Sequence, residues 1–201
     1  MNTAFLSGFL LSFSLILAIG PQNAFVLRQG LLRQHVLPIA LFCTLSDIIL
    51  ILLGIFGFGS IISNFDNFSQ YMFAIGGAWL LGYGFLRLKG AYLADSFLEA
   101  SNEQESDIKL VLINCAVLTW FNPHVYIDTL ILIGTVSITF EDSLQFGLGA
   151  CLASFIFFFS LAFGARLLSP LMSSKKAWQI LDLVIASIMF VLAFSMFQEV
   201  F

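Results

Sequence analysis

Six long apolar stretches, separated by short polar intervals, make up most of the chain. They run Thr3–Leu27, Val36–Ile62, Tyr71–Leu88, Leu110–Ile133, Leu144–Leu168 and Ile180–Val200. Each approaches the roughly 20 apolar residues a helix needs to cross the hydrocarbon core, and none shows the ten-residue alternation of a barrel strand. The pattern predicts an all-α integral membrane protein with six transmembrane helices. The first stretch has no Lys or Arg before its apolar run and continues past Pro21 without an A-x-A site. It is expected to stay as a helix rather than be cleaved.

Composition narrows the class. The 201 residues are 60% hydrophobic and 10% charged, with a mean hydropathy of +1.00, whereas soluble domains are roughly 45–50% apolar and about 25% charged. Soluble globular, disordered, collagenous and disulfide-scaffold chains are excluded. At roughly 30 residues per span and loop, no separate soluble domain fits. Cys43, Cys115 and Cys151 lie in apolar stretches without CxxC or metal-ligand spacing and read as small buried residues. There is no GxxxxGK[ST] loop and no cofactor or metal motif. No cofactor and no nucleic-acid partner are expected, and any transport must run on ion or substrate gradients.

The basic residues set an orientation. Arg28 and Arg33 follow the first stretch, Arg87, Lys89 and Lys109 bracket the connection between the third and fourth, and Arg166, Lys175 and Lys176 lie between the fifth and sixth. These are all 8 Lys and Arg. The positive-inside rule places the three connections in the cytoplasm and both termini outside. The longest connection, Lys89–Lys109, carries Asp95, Glu99, Glu103, Glu105 and Asp107 and reads as a solvated linker. It separates a first repeat at about 1–90 from a second at about 109–201, with the linker at about 91–108, all within one transmembrane domain.

Three spans per half make the second half enter the membrane from the opposite side, which is the arithmetic of an inverted repeat. Corresponding first spans carry Gly20-Pro21-Gln22-Asn23 and Asn122-Pro123-His124. Proline removes a donor and clashes with the carbonyl four residues earlier, and backbone freed in hydrocarbon must find a protein or water partner. Paired helix breaks at Gly20, Pro21 and Pro123 therefore point to a polar cavity, the usual substrate site of a transporter. The alternative is a pair of simple kinks.

Two carboxylates, Asp47 and Asp128, lie deep in spans with no Lys or Arg at comparable depth. Such a group costs about 2.5–3.5 kcal/mol even on the lenient insertion scale. Its missing partner is a substrate cation, a proton or both, unless a neighbouring helix satisfies it by hydrogen bonding. His124 and Asp128 are four apart and share a helix face with Trp120 one turn before, an arrangement that can pass a proton. Asp182, one turn into the last span, reads as interfacial, and Trp178 suits the interfacial aromatic belt. Ala74, Ala78 and Gly82 form a small-residue ladder for a helix neighbour inside the bundle or, alternatively, for a homodimer.

The run Gly20-Pro21-Gln22-Asn23-Ala24-Phe25-Val26-Leu27-Arg28-Gln29-Gly30 closely resembles the amino-terminal signature of the LysE-type exporters of basic amino acids. Leu118-Thr119-Trp120-Phe121-Asn122-Pro123-His124-Val125-Tyr126-Ile127-Asp128-Thr129 is similar to that family's second signature, and Cys43-Thr44-Leu45-Ser46-Asp47 to its second-span motif. The resemblance covers essentially the whole chain and points to the lysine/arginine branch. It implies a non-enzymatic bacterial inner-membrane exporter of L-arginine or L-lysine, driven by membrane potential or proton exchange, in which Asp47 and Asp128 serve substrate or proton. The expected site is a midplane cavity lined by spans one, two, four and five. There Gln22, Asn23, Asn122 and His124 meet the substrate carboxylate, and Asp47 and Asp128 hold its cationic groups. Two other readings are an intramembrane aspartyl hydrolase, which paired carboxylates invite, and a non-transporting scaffold subunit. Against the first, Asp47 follows Ser46 rather than a Gly-x-Gly run, and Asp128 follows Ile127 rather than Tyr.

Overall fold

The computed structural model of the chain describes residues 3–18, 20–57, 68–93, 97, 100 and 106–200. Its described elements are helices: α1 (Thr3–Ile16), α2 (Pro21–Leu32), α3 (Val36–Ile55), α4 (Phe68–Leu93), α5 (Ile108–Trp120), α6 (Pro123–Ser137), α7 (Ser143–Leu168) and α8 (Lys175–Gln198). A single tight turn, Ser169–Met172, extends α7. Local chemistry sets several of these starts. Asp107 accepts from the Lys109 N–H at 2.9 Å, Asp142 from the Gln145 N–H at 2.9 Å and Ser174 from the Ala177 N–H at 3.2 Å. Each side chain satisfies a donor that the first helical turn leaves without a partner. Pro21 and Pro123 begin α2 and α6, where a missing N–H costs nothing.

The expected six stretches correspond to these helices with two adjustments. The first span is divided into α1 and α2, and the fourth into α5 and α6, each pair bent by more than 40°. The second ends at Ile55 as a helix, and the expected remainder from residue 58 to 62 lies outside the described residues. So do the linker acids Asp95, Glu99, Glu103 and Glu105. Among the described residues, three helices are long and apolar enough to cross a membrane, or up to five if each bent pair is one span. The chain is a multi-pass membrane protein. The remaining long helix, α4, has 26 residues and carries Arg87 and Lys89 near its end.

Helix neighbours follow a regular plan. α3 and α7 pack against each other at the centre. α1 lies along α7 in the same direction, with Gly8 against Phe146 and Phe13 against Phe157. α5 and α6 lie along α3 the same way: Cys43 meets Cys115 at 3.4 Å, Trp120 donates to Ser46 Oγ at 3.2 Å, and Gly54 meets Gly134. α4 and α8 run antiparallel. Gln179 donates to the Ala91 carbonyl at 2.9 Å, Gly76 faces Met196, and Gln70 donates to the Val200 carbonyl at 3.2 Å. Exchanging α1–α2 with α5–α6, α3 with α7 and α4 with α8 maps this set of neighbours onto itself.

Close packing depends on glycine where backbones touch. A Cβ on Gly134 would stand 2.5 Å from the Gly54 carbonyl oxygen, and one on Gly54 2.4 Å from that of Leu130. Small residues at such crossings let dispersion act where lipid offers no hydrophobic drive between helices. The expected Ala74–Ala78–Gly82 ladder does not serve this way. Ala78 and Gly82 are exposed, and nothing lies within 4 Å of a Cβ on Gly82. α4 instead meets α8 through Gly76, Gly77 and Gly84. Trp178, expected in an interfacial belt, does not face outward. It is fully buried against Leu31, Leu32 and Ala165, and its ring N–H donates to the Met172 carbonyl at 2.7 Å.

Candidate functional site

At the first break the chain leaves α1 at Ile16 and enters α2 at Pro21. The Asn23 amide turns back and donates to the carbonyls of Ile16 at 2.8 Å and Ala18 at 2.9 Å. It thereby supplies donors to carbonyls that the end of α1 leaves without helical partners. Gly20 has φ −99° and ψ 177°, extended values open to any residue, and no atom lies near a Cβ placed there. The break is thus made by Pro21 and closed by Asn23. At the second break Tyr126 plays the corresponding part, its hydroxyl donating to the Trp120 carbonyl at 2.7 Å. Asn122 caps α6, accepting from the His124 N–H at 3.2 Å. Past this point Tyr126–Leu132 winds as a π-helix, a wider coil that often marks functional sites and that the sequence pattern does not foreshadow.

The two breaks face one cavity of about 290 Å³. Gly20, Pro21, Gln22, Asn23, Asp47, Asn122, His124 and Asp128 all line it, so it gathers every expected site residue except Pro123. Pro123 is buried at the start of α6. The lining adds Thr129 and the apolar Leu15, Ile16, Phe158 and Leu192, and it contains two carboxylates with no Lys or Arg. The described helices that line it are α1, α2, α3, α6 and α7, with α8 contributing Leu192.

Asp47 is 4% exposed and accepts a hydrogen bond from Ser154 Oγ on α7 at 2.8 Å. Asp128 is half-buried in the π-helical stretch. Gln22 is buried, and among the described residues its amide has only the weakly accepting Cys43 thiol beside it. A donor in that state next to a cavity is available to an incoming acceptor. Asn23, in contrast, has its amide N–H groups committed to the backbone. His124 is exposed and stands edge-on to Phe73, ring centroids 5.9 Å apart.

Two partners escaped the sequence reading. Ser154 was visible only as a polar residue within an apolar stretch. The other is a cluster around Asp182, which is completely buried rather than interfacial. Its Oδ1 lies 3.6 Å from Arg28 Nε and 3.6 Å from Arg87 Nη1, and the Arg87 guanidinium rests 5.3 Å from the Tyr83 ring centre.

Residues 13–199 match the family model described as LysE type translocator. The chain is 38% identical over 205 residues to the arginine exporter protein ArgO of Klebsiella pneumoniae strain 342, an alignment that covers 99% of this chain and 95% of that protein. With the same coverage it is 37% identical to proteins of that name from Salmonella typhimurium strain LT2 and Salmonella newport strain SL254. No solved structure matches the chain.

Proposed function

The chain belongs to the LysE type translocator family, and from that membership we propose that it exports basic amino acids, arginine first, across the bacterial inner membrane. Translocation, not catalysis, is the family's business, which sets the hydrolase reading aside. One observation carries the substrate class: the cavity lining holds Asp47 and Asp128 and no Lys or Arg. A buried carboxylate without a basic partner favours a cationic guest, because the guest supplies the charge that the fold withholds. At about 290 Å³ the cavity sits just at the lower bound of the roughly 300–1,000 Å³ range for small-ligand sites.

A basic amino acid also has a carboxylate. The buried Gln22 amide and the N-terminus of α2, whose first N–H groups lack helical partners, supply donors for it. Asp47 and Asp128 take the side-chain cation and the α-ammonium. The six-span reading counts α1–α2, α3 and α4 as one repeat and α5–α6, α7 and α8 as its inverted copy, with residues 91–108 between. The exchange of helix neighbours between the two sets supports this. The basic residues cluster at one end of that bundle, supporting an orientation with both termini outside. The outward ladder on α4 leaves that face to lipid or to a second copy of the chain.

Exporting a cation against an inside-negative potential costs about 2.3 kcal/mol per charge per 100 mV. Exchange for one proton cancels that cost for a singly charged substrate, with His124 and Asp128 as the proton-bearing pair. The test uses purified protein in liposomes loaded with labelled arginine or lysine, with and without an imposed pH gradient. Saturable efflux that the pH gradient accelerates is the expected result. Absence of efflux of either amino acid from folded protein overturns the assignment.

A further inference from the structure

Asp47 gives one carboxylate oxygen, Oδ2, to Ser154 Oγ, which leaves Oδ1 for a guest. Ser154 lies on α7, and so does Phe158 four residues later. Residues four apart share a helix face and stand about 6 Å from one another. Phe158 is therefore one turn from the hydroxyl that holds Asp47, and it lines the same cavity. It is buried, and the Phe157 ring meets it edge-on with centroids 5.4 Å apart. Among the described residues of the lining the other aromatic ring is His124, which is engaged edge-on with Phe73.

The cavity thus has two unlike walls. From α6 come Asn122, His124, Asp128 and Thr129, polar groups that suit the α-ammonium. From α3 and α7 come one carboxylate, Asp47, and one ring, Phe158. A guanidinium and an ammonium ask different things of such a wall. The guanidinium is flat and weakly hydrated. It donates in its own plane to a carboxylate while its face rests on an aromatic ring. The ammonium is a compact point charge that holds its water strongly. It has no flat face to lay on the ring, and apolar surface beside it replaces water it would otherwise keep. A carboxylate and a ring side by side therefore favour arginine over lysine.

We propose that Phe158 is the residue that selects arginine over lysine: the guanidinium pairs in its plane with Asp47 and lays its face on the Phe158 ring. This assigns the side-chain cation to Asp47 and the α-ammonium to Asp128. The inference rests on the reading of the chain as a basic amino-acid exporter. It adds a source of selectivity that the two carboxylates do not supply, since charge alone attracts both substrates equally.

Counterflow into liposomes holding the purified protein tests it, through the initial rates of labelled L-arginine and labelled L-lysine entry against concentration. In wild type the KM for arginine is expected to lie below that for lysine. Phe158→Leu keeps an apolar side chain and removes the ring. It is expected to raise the arginine KM about five- to thirtyfold, the loss of a cation–ring contact out of water, and the lysine KM by no more than about twofold. Phe157→Leu removes a neighbouring ring that is not part of the lining and should keep the wild-type ratio of the two KM values. Collapse of that ratio in Phe158→Leu alone supports the proposal, because a mere loss of packing weakens both substrates together. A wild-type lysine KM equal to or below that for arginine overturns it while the exporter assignment stands. So does a ratio that Phe158→Leu leaves unchanged or that Phe157→Leu also collapses. Wild-type liposomes that take up neither amino acid overturn both. Should Phe158→Leu fail to fold, Phe158→Met, whose flexible side chain fills irregular gaps, takes its place with the same expected ratio, and the wild-type comparison needs no variant.

Discussion

Replacing Asp47 with Asn separates what the carboxylate does for substrate from what it does for the fold. Asp47 is 4% exposed and holds one hydrogen bond, from Ser154 Oγ at 2.8 Å. An Asn carbonyl oxygen accepts the same bond, so the local geometry survives. Without substrate, the variant also escapes the roughly 2.5–3.5 kcal/mol charged to a carboxylate at membrane depth. Thermal unfolding of the substrate-free protein in detergent should therefore show Asp47→Asn at least as stable as wild type. Binding moves the other way. Two unit charges about 4 Å apart attract by about 4 kcal/mol at an effective dielectric constant near 20. Removing one partner of a buried charge pair costs about 2–5 kcal/mol, and each 1.4 kcal/mol is about tenfold in affinity. Arginine should bind the variant about 30-fold to several-thousand-fold more weakly, read as loss of saturable binding of labelled arginine and loss of efflux from liposomes. An Asp47→Asn protein that binds arginine within about threefold of wild type refutes the argument, because the anionic cavity would then not be what selects the substrate.

Gly54→Ala or Gly134→Ala places a methyl 2.4–2.5 Å from a facing backbone oxygen. It should cost about 1–3 kcal/mol or more as overpacking, seen as a lower unfolding temperature, whereas Gly82→Ala, with open space around its Cβ, should not lower it. Asn23→Ala leaves the Ile16 and Ala18 carbonyls without the donor that now serves them. At about 1–3 kcal/mol for each orphaned group, it should destabilise more than Asn122→Ala, which loses a helix cap worth about 1 kcal/mol. Equal losses in the two unfolding curves would remove Asn23 from its place in the break. Gly20→Ala should leave arginine efflux near wild type, because an extended backbone with free space has no need of glycine there; abolished efflux would show that the residue does more than connect two half-helices.

Much of the site was readable before any fold was known, for a specific reason. Proline inside an apolar run, and an aspartate with no basic residue at its depth, are expensive in hydrocarbon, so their presence signals a protein-lined polar space. Gly20, Pro21, Gln22, Asn23, Asp47, Asn122, His124 and Asp128 were all marked in this way, and all line one cavity. Their division of labour was not readable. Asn23 and Asn122 look alike as amides beside prolines, yet one donates to backbone carbonyls and the other accepts from an N–H. Gln22 retains a buried donor that has only the weakly accepting Cys43 thiol beside it. The difference depends on which side of a bent helix each side chain leaves.

The sequence by itself determined that this chain lives in a membrane as a set of apolar helices, where two of them break, and where charge is concentrated along its length. Those properties follow from what each residue costs in hydrocarbon and need no partner to be evaluated. Only the tertiary structure decided that Asp182 is sealed between Arg28 and Arg87 instead of meeting headgroups, that Trp178 is core and the Ala74–Ala78–Gly82 ladder outward, and that Ser154 completes the surroundings of Asp47. In a soluble helix an apolar stripe tells inside from outside. Here lipid and core are equally apolar, and Leu45, Ile113 and Leu148 face outward as readily as Ile51 and Met189 face inward. With no stripe to read, helix rotation is fixed by glycine contacts and polar pairs formed between segments far apart in the chain.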